Sequence, residues 1–401
     1  MNPLRVLIEH RNFRLFWIGQ TLSLVGTWMQ QVGQGWLALQ LSDSAFIVGL
    51  VSAAGSLPVL MFSLYAGVFI DRMDKLRIVT VAQVLLSIEA AVLWYAVWSG
   101  RINIPLLVGL AGINGLISAV EIPARQSLIV ELVGREDVVD AVALNSGGFN
   151  LARIIGPSIA AAVIASAGLA WCFGINALSY IAVIGCLVAI NLPKFVRVEG
   201  RGSPLNEFRE GIAYIRSRRE VLGLIGVIAI YSIFGFQYLT MMPVIARDVL
   251  HTNASGYGLL VTFVGIGAVI GALTLAALSA RVRRGRLFMF SALTFAALNL
   301  LFSMVNDRAV ASIVLLFLGL TMLINGALAN GILQSVVPDE LRGRVMAAYV
   351  FVYVGFTPIG SLLVGALAGA TNVQWAIGAG ALMMLVYASI AFWKVPELRR
   401  V

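Results

Sequence analysis

Long apolar runs alternate with short polar interruptions along most of the chain. A helix needs about 20 apolar residues to cross the hydrocarbon core of a bilayer. Runs of that length lie at roughly 13–39, 45–70, 77–99, 104–125, 140–167 and 170–192. A second set lies at roughly 222–246, 256–280, 287–305, 310–335, 342–369 and 374–394. The pattern predicts an all-α membrane protein with twelve transmembrane helices in two six-helix bundles, residues 1–192 and 221–401. The polar connector between them, 193–220, includes PLNEFREGIAYIRSRRE. Leu205, Phe208, Ile212 and Ile215 share one helical face there, with charges on the other. That segment is expected to be an amphipathic helix on the cytoplasmic membrane surface.

Composition agrees with lipid as the main solvent. Of the 401 residues, 60% are hydrophobic and only 12% charged, against about 25% charged in soluble domains. Mean hydropathy is +0.94. No small-residue cleavage site follows the first apolar run, so that run is expected to stay as a membrane helix. Cys172 and Cys186 share one apolar stretch and read as small apolar residues rather than a disulfide framework.

The net charge of +9 does not indicate nucleic acid, because no basic helix or aromatic-basic platform accompanies it. Its use is topological. Of the 28 Lys and Arg, Arg101, Arg247 and Arg308 fall on one side, Arg153 lies inside a helix, and the other 24 fall on the side of the N-terminus. The positive-inside rule then puts both termini in the cytoplasm.

The halves resemble each other. Each has a basic loop after its second helix, DRMDKLR at 71–77 and RVRRGR at 281–286. Each has a charged loop after its fourth, VGREDVVDA at 133–141 and VPDELRGRV at 337–345. Each has a glycine-rich fifth helix, with Gly156 and Gly360 at matching positions. Such repeats mark transporters whose substrate site lies near the midplane between the halves.

GVFIDRMDKLR at 67–77 resembles the signature loop of the major facilitator superfamily: Gly67, Asp71, Arg72, Lys75 and Arg77 fit it. The resemblance implies a latch on the cytoplasmic face in the outward-open state. The second-half loop has Ala280 where the Asp would stand, so the latch is expected on one side only. FRLFWIG at 13–19, SAVEIPARQSLIVELV at 118–133, DAVALNSGGFNLARIIGPSIAA at 140–161 and VVPDELRGRVMAA at 336–348 narrow the likeness. They resemble the bacterial branch that holds the enterobactin exporter, macrolide efflux proteins and transmembrane secretion effectors. The resemblance implies export of a siderophore, drug or similar amphiphile. It also implies protons as coupling ion, a monomer and the bacterial cytoplasmic (inner) membrane. Gly156 and Pro157 resemble the exporters' antiporter motif, although Ala160 and Ala161 replace its paired glycines. Ala111 stands where many proton-driven exporters carry an Arg, so that relay is missing.

Ionisable residues within membrane helices are costly and point to function. Three stand out: Glu89, Glu121 and Arg153. Arg153 shares a face with Asn150 and either attracts an anionic substrate or balances a carboxylate. Glu121 and Arg125, four apart around Pro123, suit a gating network. Glu89 is either protonatable or a neutral packing group. Gln30, Gln34, Asn114, Gln237, Asn325 and Asn330 lie on the first, fourth, seventh and tenth helices, which line the cavity in the superfamily. They are expected to bind substrate, with interhelical glue as the other use of such amides. No phosphate-binding loop, metal cluster or catalytic constellation appears in the sequence, so neither a cofactor nor an enzymatic activity is expected. A lipid or lysolipid flippase and a non-transporting assembly factor remain as other uses of this scaffold.

Overall fold

A computed structural model describes residues 4–70, 73–134, 136–192, 204–278 and 283–399. The side chains of 4, 63–69, 204–208, 278, 339 and 399 lie outside that description. The chain is nearly all helix. In the first half α1 (Leu4–Glu9) leads into α2 (Arg11–Ser42), α3 (Ala45–Ile70), α4 (Lys75–Trp98), α5 (Ile104–Val133), α6 (Val138–Ala167) and α7 (Ala170–Val188). The second half begins with α8 (Pro204–Ser217) and α9 (Arg219–Ile230). A π-helical segment, Tyr231–Gly235, follows, then α10 (Gln237–Thr240), α11 (Met242–Val244) and a second π-segment, Ile245–Val249. The chain continues through α12 (Ala254–Leu278), α13 (Arg284–Phe302), α14 (Arg308–Val336), α15 (Asp339–Gly355), α16 (Thr357–Ala370) and α17 (Val373–Lys394).

Among the described residues, eleven stretches are long and apolar enough to cross a membrane, among them Arg219–Val249 and Glu340–Ala370, each built from several of these elements. The 32-residue α2 is long enough but is not one of the eleven. Gln20, Gln30, Gln31, Gln34 and Gln40 dilute its apolar character.

Local chemistry explains where helices start. Asp74 caps α4 by accepting from the Arg77 amide at 3.1 Å, and Asn103 caps α5 through the Leu106 amide at 2.9 Å. Asp307 accepts from the Ala309 and Val310 amides, both at 2.9 Å, to start α14. Such a cap satisfies amides that have no partner within the helix. Asp74→Ala is expected to cost about 1 kcal/mol, read as a lower unfolding midpoint of the purified protein.

The helices form two compact units, Met1–Ser42 with Ala54–Arg201, and Asp43–Ala53 with Gly202–Val401. In the first, α2 packs on α6 and α7, and α4 on α5 and α7. Gly19, Gly26 and Gly33 recur every seven residues on α2 and face Cys186, Asn176 with Ser179, and Phe173 of α7. Without side chains at these points the two backbones can close up. Cys172 and Cys186 are both free thiols.

In the second unit α14 packs on α12 and α13, and α17 on α13. The start of α3 belongs here: Gly49 sits against the Ser361 carbonyl, and Asp43 pairs with Arg247. The amphipathic helix expected in the connector is α8. It packs along α15, with Gly211 against the Arg344 backbone and Glu210 paired with Arg344.

The two halves of the sequence repeat each other's devices. Asp43 (φ 50°) and His251 (φ 47°) both hold the left-handed conformation in the short turns before α3 and α12. Gly115 of α5 meets Gly55 of α3, as Gly319 of α14 meets Val264 of α12. Gly156 of α6 lies against Val25 and Trp28 of α2, as Gly360 of α16 lies against Ile233. The matched pair Gly156 and Gly360 therefore marks equivalent helix crossings.

Candidate functional site

The polar centre of the first unit is Glu89, on α4 and 3% exposed. Gln30 of α2 donates from Nε2 to its Oε2 at 3.2 Å and Oε1 at 3.4 Å. Asn114 of α5 donates from Nδ2 to Oε2 at 3.1 Å. Behind Gln30, Asn176 of α7 donates to Gln30 Oε1 at 2.7 Å, and Ser179 Oγ donates to Asn176 Oδ1 at 3.2 Å. Every amide donor in this chain points toward the carboxyl group, while the Ser179 hydroxyl also lies 2.8 Å from Asn176 O. That polarity suits an acceptor-only carboxylate, and hydrogen bonds to a charged group are worth more than neutral ones. A protonated Glu89 would carry one O–H donor of its own; on Oε1 that proton would oppose the 3.4 Å contact from Gln30, while Oε2 could still accept from Gln30 and Asn114.

About two turns nearer the loop after α3, Glu121 of α5 forms a second buried group. Arg125 Nε donates to its Oε1 at 2.9 Å, and Gln83 Nε2 of α4 donates to the same oxygen at 3.1 Å. Pro123 within α5 does not prevent this pair. Asp71 and Arg72, expected to join it, lie outside the described residues, and so do the surroundings of Gly67. Of the loop residues that are described, Lys75 pairs with Glu131 at 2.5 Å, and the Arg77 amide is bound by Asp74. His10 bonds Asp137 at 2.8 Å.

The remaining expected residues fall in several places. Arg153 holds its guanidinium 5.7 Å from the Trp28 ring centre, within cation–π range. Asn150 donates to Ser146 O of its own helix at 2.9 Å. Gln34 Nε2 has no partner among the described residues. Asn330 accepts from Gln334, one turn along α14.

Gln237 is fully buried and fixes two segments together. Its Nε2 reaches Ser232 O and Thr357 O, both at 3.3 Å, and its Oε1 accepts from Ser361 Oγ at 3.1 Å. Both ends of that amide are used in helix packing, so the glue reading fits it better than cavity lining. Asn325 is 7% exposed, and its Nδ2 has no partner among the described residues.

Sequence reasoning passed over Gln83, and also Asn176. The only signal for Asn176 was an amide within the apolar run AWCFGINALSY. Asp74 was likewise passed over beside the more conspicuous Asp71.

Helical units with buried polar groups in their spans describe a multi-span membrane protein, and solved structures agree on the fold. A bacterial homologue of the human lysosomal transporter Spinster, inward-facing and unoccupied, matches with TM-score 0.75 at 11% identity, over 97% of each chain. The nucleoside transporter NupG matches with TM-score 0.76 at 12% identity, over 99% of this chain and 100% of that one. Residues 2–400 match the family described as transmembrane secretion effector. The chain belongs to this family of major facilitator superfamily transporters, which are not enzymes.

Curated relatives cover nearly the whole length. The chain is 27% identical to the staphyloferrin A transporter of Staphylococcus aureus, over 87% of this chain and 88% of the relative. It is 26% identical to the multidrug efflux pump Tap of Mycolicibacterium fortuitum, over 91% and 90%. It is 24% identical to the enterobactin exporter EntS of Shigella boydii, over 99% and 95%.

Proposed function

We propose that this transporter exports a small organic amphiphile, a siderophore or drug, by alternating access coupled to protons, with Glu89 as the proton-carrying group. The buried Glu89 carboxyl carries the reading. A charge at that depth is costly, and its described hydrogen-bond partners are neutral amides. Loss or gain of one proton therefore changes both the local charge and the hydrogen bonds that the amide chain can make. That chain ties together α2, α4, α5 and α7, so the change is felt across the unit. The names of the relatives support export and the substrate class.

In this reading α2 is the twelfth span, both termini are cytoplasmic, and the transporter is a monomer in the bacterial inner membrane. Lys75, Arg77, Glu121 and Arg125 serve the cytoplasmic gate with Gly67, Asp71 and Arg72. Gly156 and Pro157 shape α6. Gln30, Gln34, Asn114, Asn150, Arg153, Asn325 and Asn330 serve substrate binding. Of these, Gln30 and Asn114 link the substrate site to Glu89.

The test is efflux from cells expressing the protein, with siderophores, macrolides and dyes, with and without a protonophore. Efflux of one class that collapses with the protonophore is the expected result. Efflux indifferent to the protonophore would remove proton coupling, and no efflux at all would remove export.

A further inference from the structure

The second unit contains an aromatic recess that the proton network does not use. Its walls are Tyr231, Phe236, Phe295, Met322, Asn325 and Tyr353. The π-segment Tyr231–Gly235 builds one wall. An α-helix turns about 100° per residue, so residues five apart diverge by about 140°. The wider π-turn, bonded i to i+5, brings such residues close to one line. Tyr231 and Phe236 therefore both reach Phe295, with ring centres 5.6 and 6.4 Å from it. Tyr231 is held by its hydroxyl, which donates to Ala292 O at 2.6 Å. Tyr353 meets Phe236 edge-on at 5.3 Å. Phe236 and Tyr353 are only half-buried, so the recess opens between them.

Two features show what it would take. Aromatic walls at these separations favour a flat ring, which can stack or meet them edge-on. The Nδ2 of Asn325, more than nine-tenths buried and without a partner among the described residues, lines the same recess. An unmade buried donor is costly, and a ligand oxygen would satisfy it. The aromatic walls alone would also suit a cation, and the N–H hydrogens of the amide are what call for an acceptor oxygen instead. As it stands the recess holds little more than a water molecule. Met322, an unbranched thioether whose Sδ accepts from the Tyr238 hydroxyl at 3.8 Å, is the most adaptable wall.

We infer that this recess seats a flat aromatic ring bearing an acceptor oxygen, carried by the exported molecule. The inference rests on the export reading above and narrows its substrate class.

The experiment titrates the purified protein in lipid nanodiscs with umbelliferone, a fluorescent flat ring with a carbonyl acceptor. Saturable binding is expected, weakened about tenfold by Asn325→Leu, the equivalent of one hydrogen bond. Phe295→Leu is expected to weaken it several-fold through loss of ring contact. Asn325→Asp keeps the size and, when ionised, removes the donor; binding measured at a pH well above the range of a buried carboxyl should weaken as much as in Asn325→Leu. Tetraethylammonium should not compete. Absence of saturable binding to the unmodified protein, unchanged affinity in all three variants, or competition by tetraethylammonium would each overturn the inference. Binding is read without transport. A protein that binds umbelliferone in this way yet exports nothing would sink the export reading alone; one that exports but shows no such binding would sink the recess alone.

Discussion

Glu89→Gln is expected to reduce proton-driven efflux to the level of cells lacking the protein while leaving the fold intact. Gln has the size of Glu, and its carbonyl can still accept from Gln30 or Asn114. Its own NH2 group then faces a donor, so one amide must turn over. The cost to stability is about 1 kcal/mol, the worth of a neutral hydrogen bond. What is lost altogether is the ability to alternate between two charge states. Downhill exchange of substrate in proteoliposomes needs no net proton movement and should survive. Uphill efflux driven by an imposed pH gradient should disappear. Glu89→Asp retains a titratable group with a shorter reach and should retain part of the driven flux. Driven efflux undiminished in Glu89→Gln would move the proton site elsewhere, with Glu121 next in line. The neighbouring titratable groups are Glu121 and Arg125 on α5 and Tyr180 on α7, whose hydroxyl lies 3.4 Å from Thr27 Oγ1.

Glu89 also shows what the sequence could convey. An acidic residue inside an apolar run is visible at once, because lipid offers no hydration for it. Its partners are not visible. Gln30, Asn114 and Asn176 come from three other helices, and no local rule says which amides in a membrane protein will meet. The same limit separated Gln237 from Asn325. Both read as cavity amides, yet Gln237 is consumed by Ser232, Thr357 and Ser361, and Asn325 is left with a spare donor.

Eleven of the twelve expected spans recur among the described residues; they were legible because each apolar run must be nearly as long as the bilayer is thick. The π-segments at Tyr231–Gly235 and Ile245–Val249 were not. A π-turn changes hydrogen-bond register without an obligatory residue type, and hydropathy is blind to register. The repeat was partly legible. Basic loops and the Gly156–Gly360 match were in plain sight, but the left-handed turns at Asp43 and His251 required backbone angles.

Gly319→Ala is expected to cost about 3 kcal/mol, at the upper end of overpacking effects, and to leave little monodisperse protein after solubilisation. A Cβ at Gly319 would lie 2.8 Å from the carbonyl carbon of Val264 and 3.0 Å from its Cα, closer still to its oxygen. The contact is reciprocal: a Cβ at Gly267 would lie 2.7 Å from the carbonyl carbon of Leu316 and 3.0 Å from the Leu320 amide nitrogen. Backbone blocks each of these, so no rotamer change can make room, and α12 and α14 would have to move apart. Without a hydrophobic force between helices in lipid, close packing is what holds such a pair. Gly331 provides the control on the same helix, since nothing lies within 4 Å of a Cβ there. Gly331→Ala should be neutral or slightly stabilising, because alanine loses less conformational freedom than glycine. Propensity alone predicts the same small gain at both positions. Opposite shifts in the thermal midpoints of the two variants would therefore assign the loss at Gly319 to the α12–α14 crossing, and equal shifts would show that the crossing tolerates a methyl group.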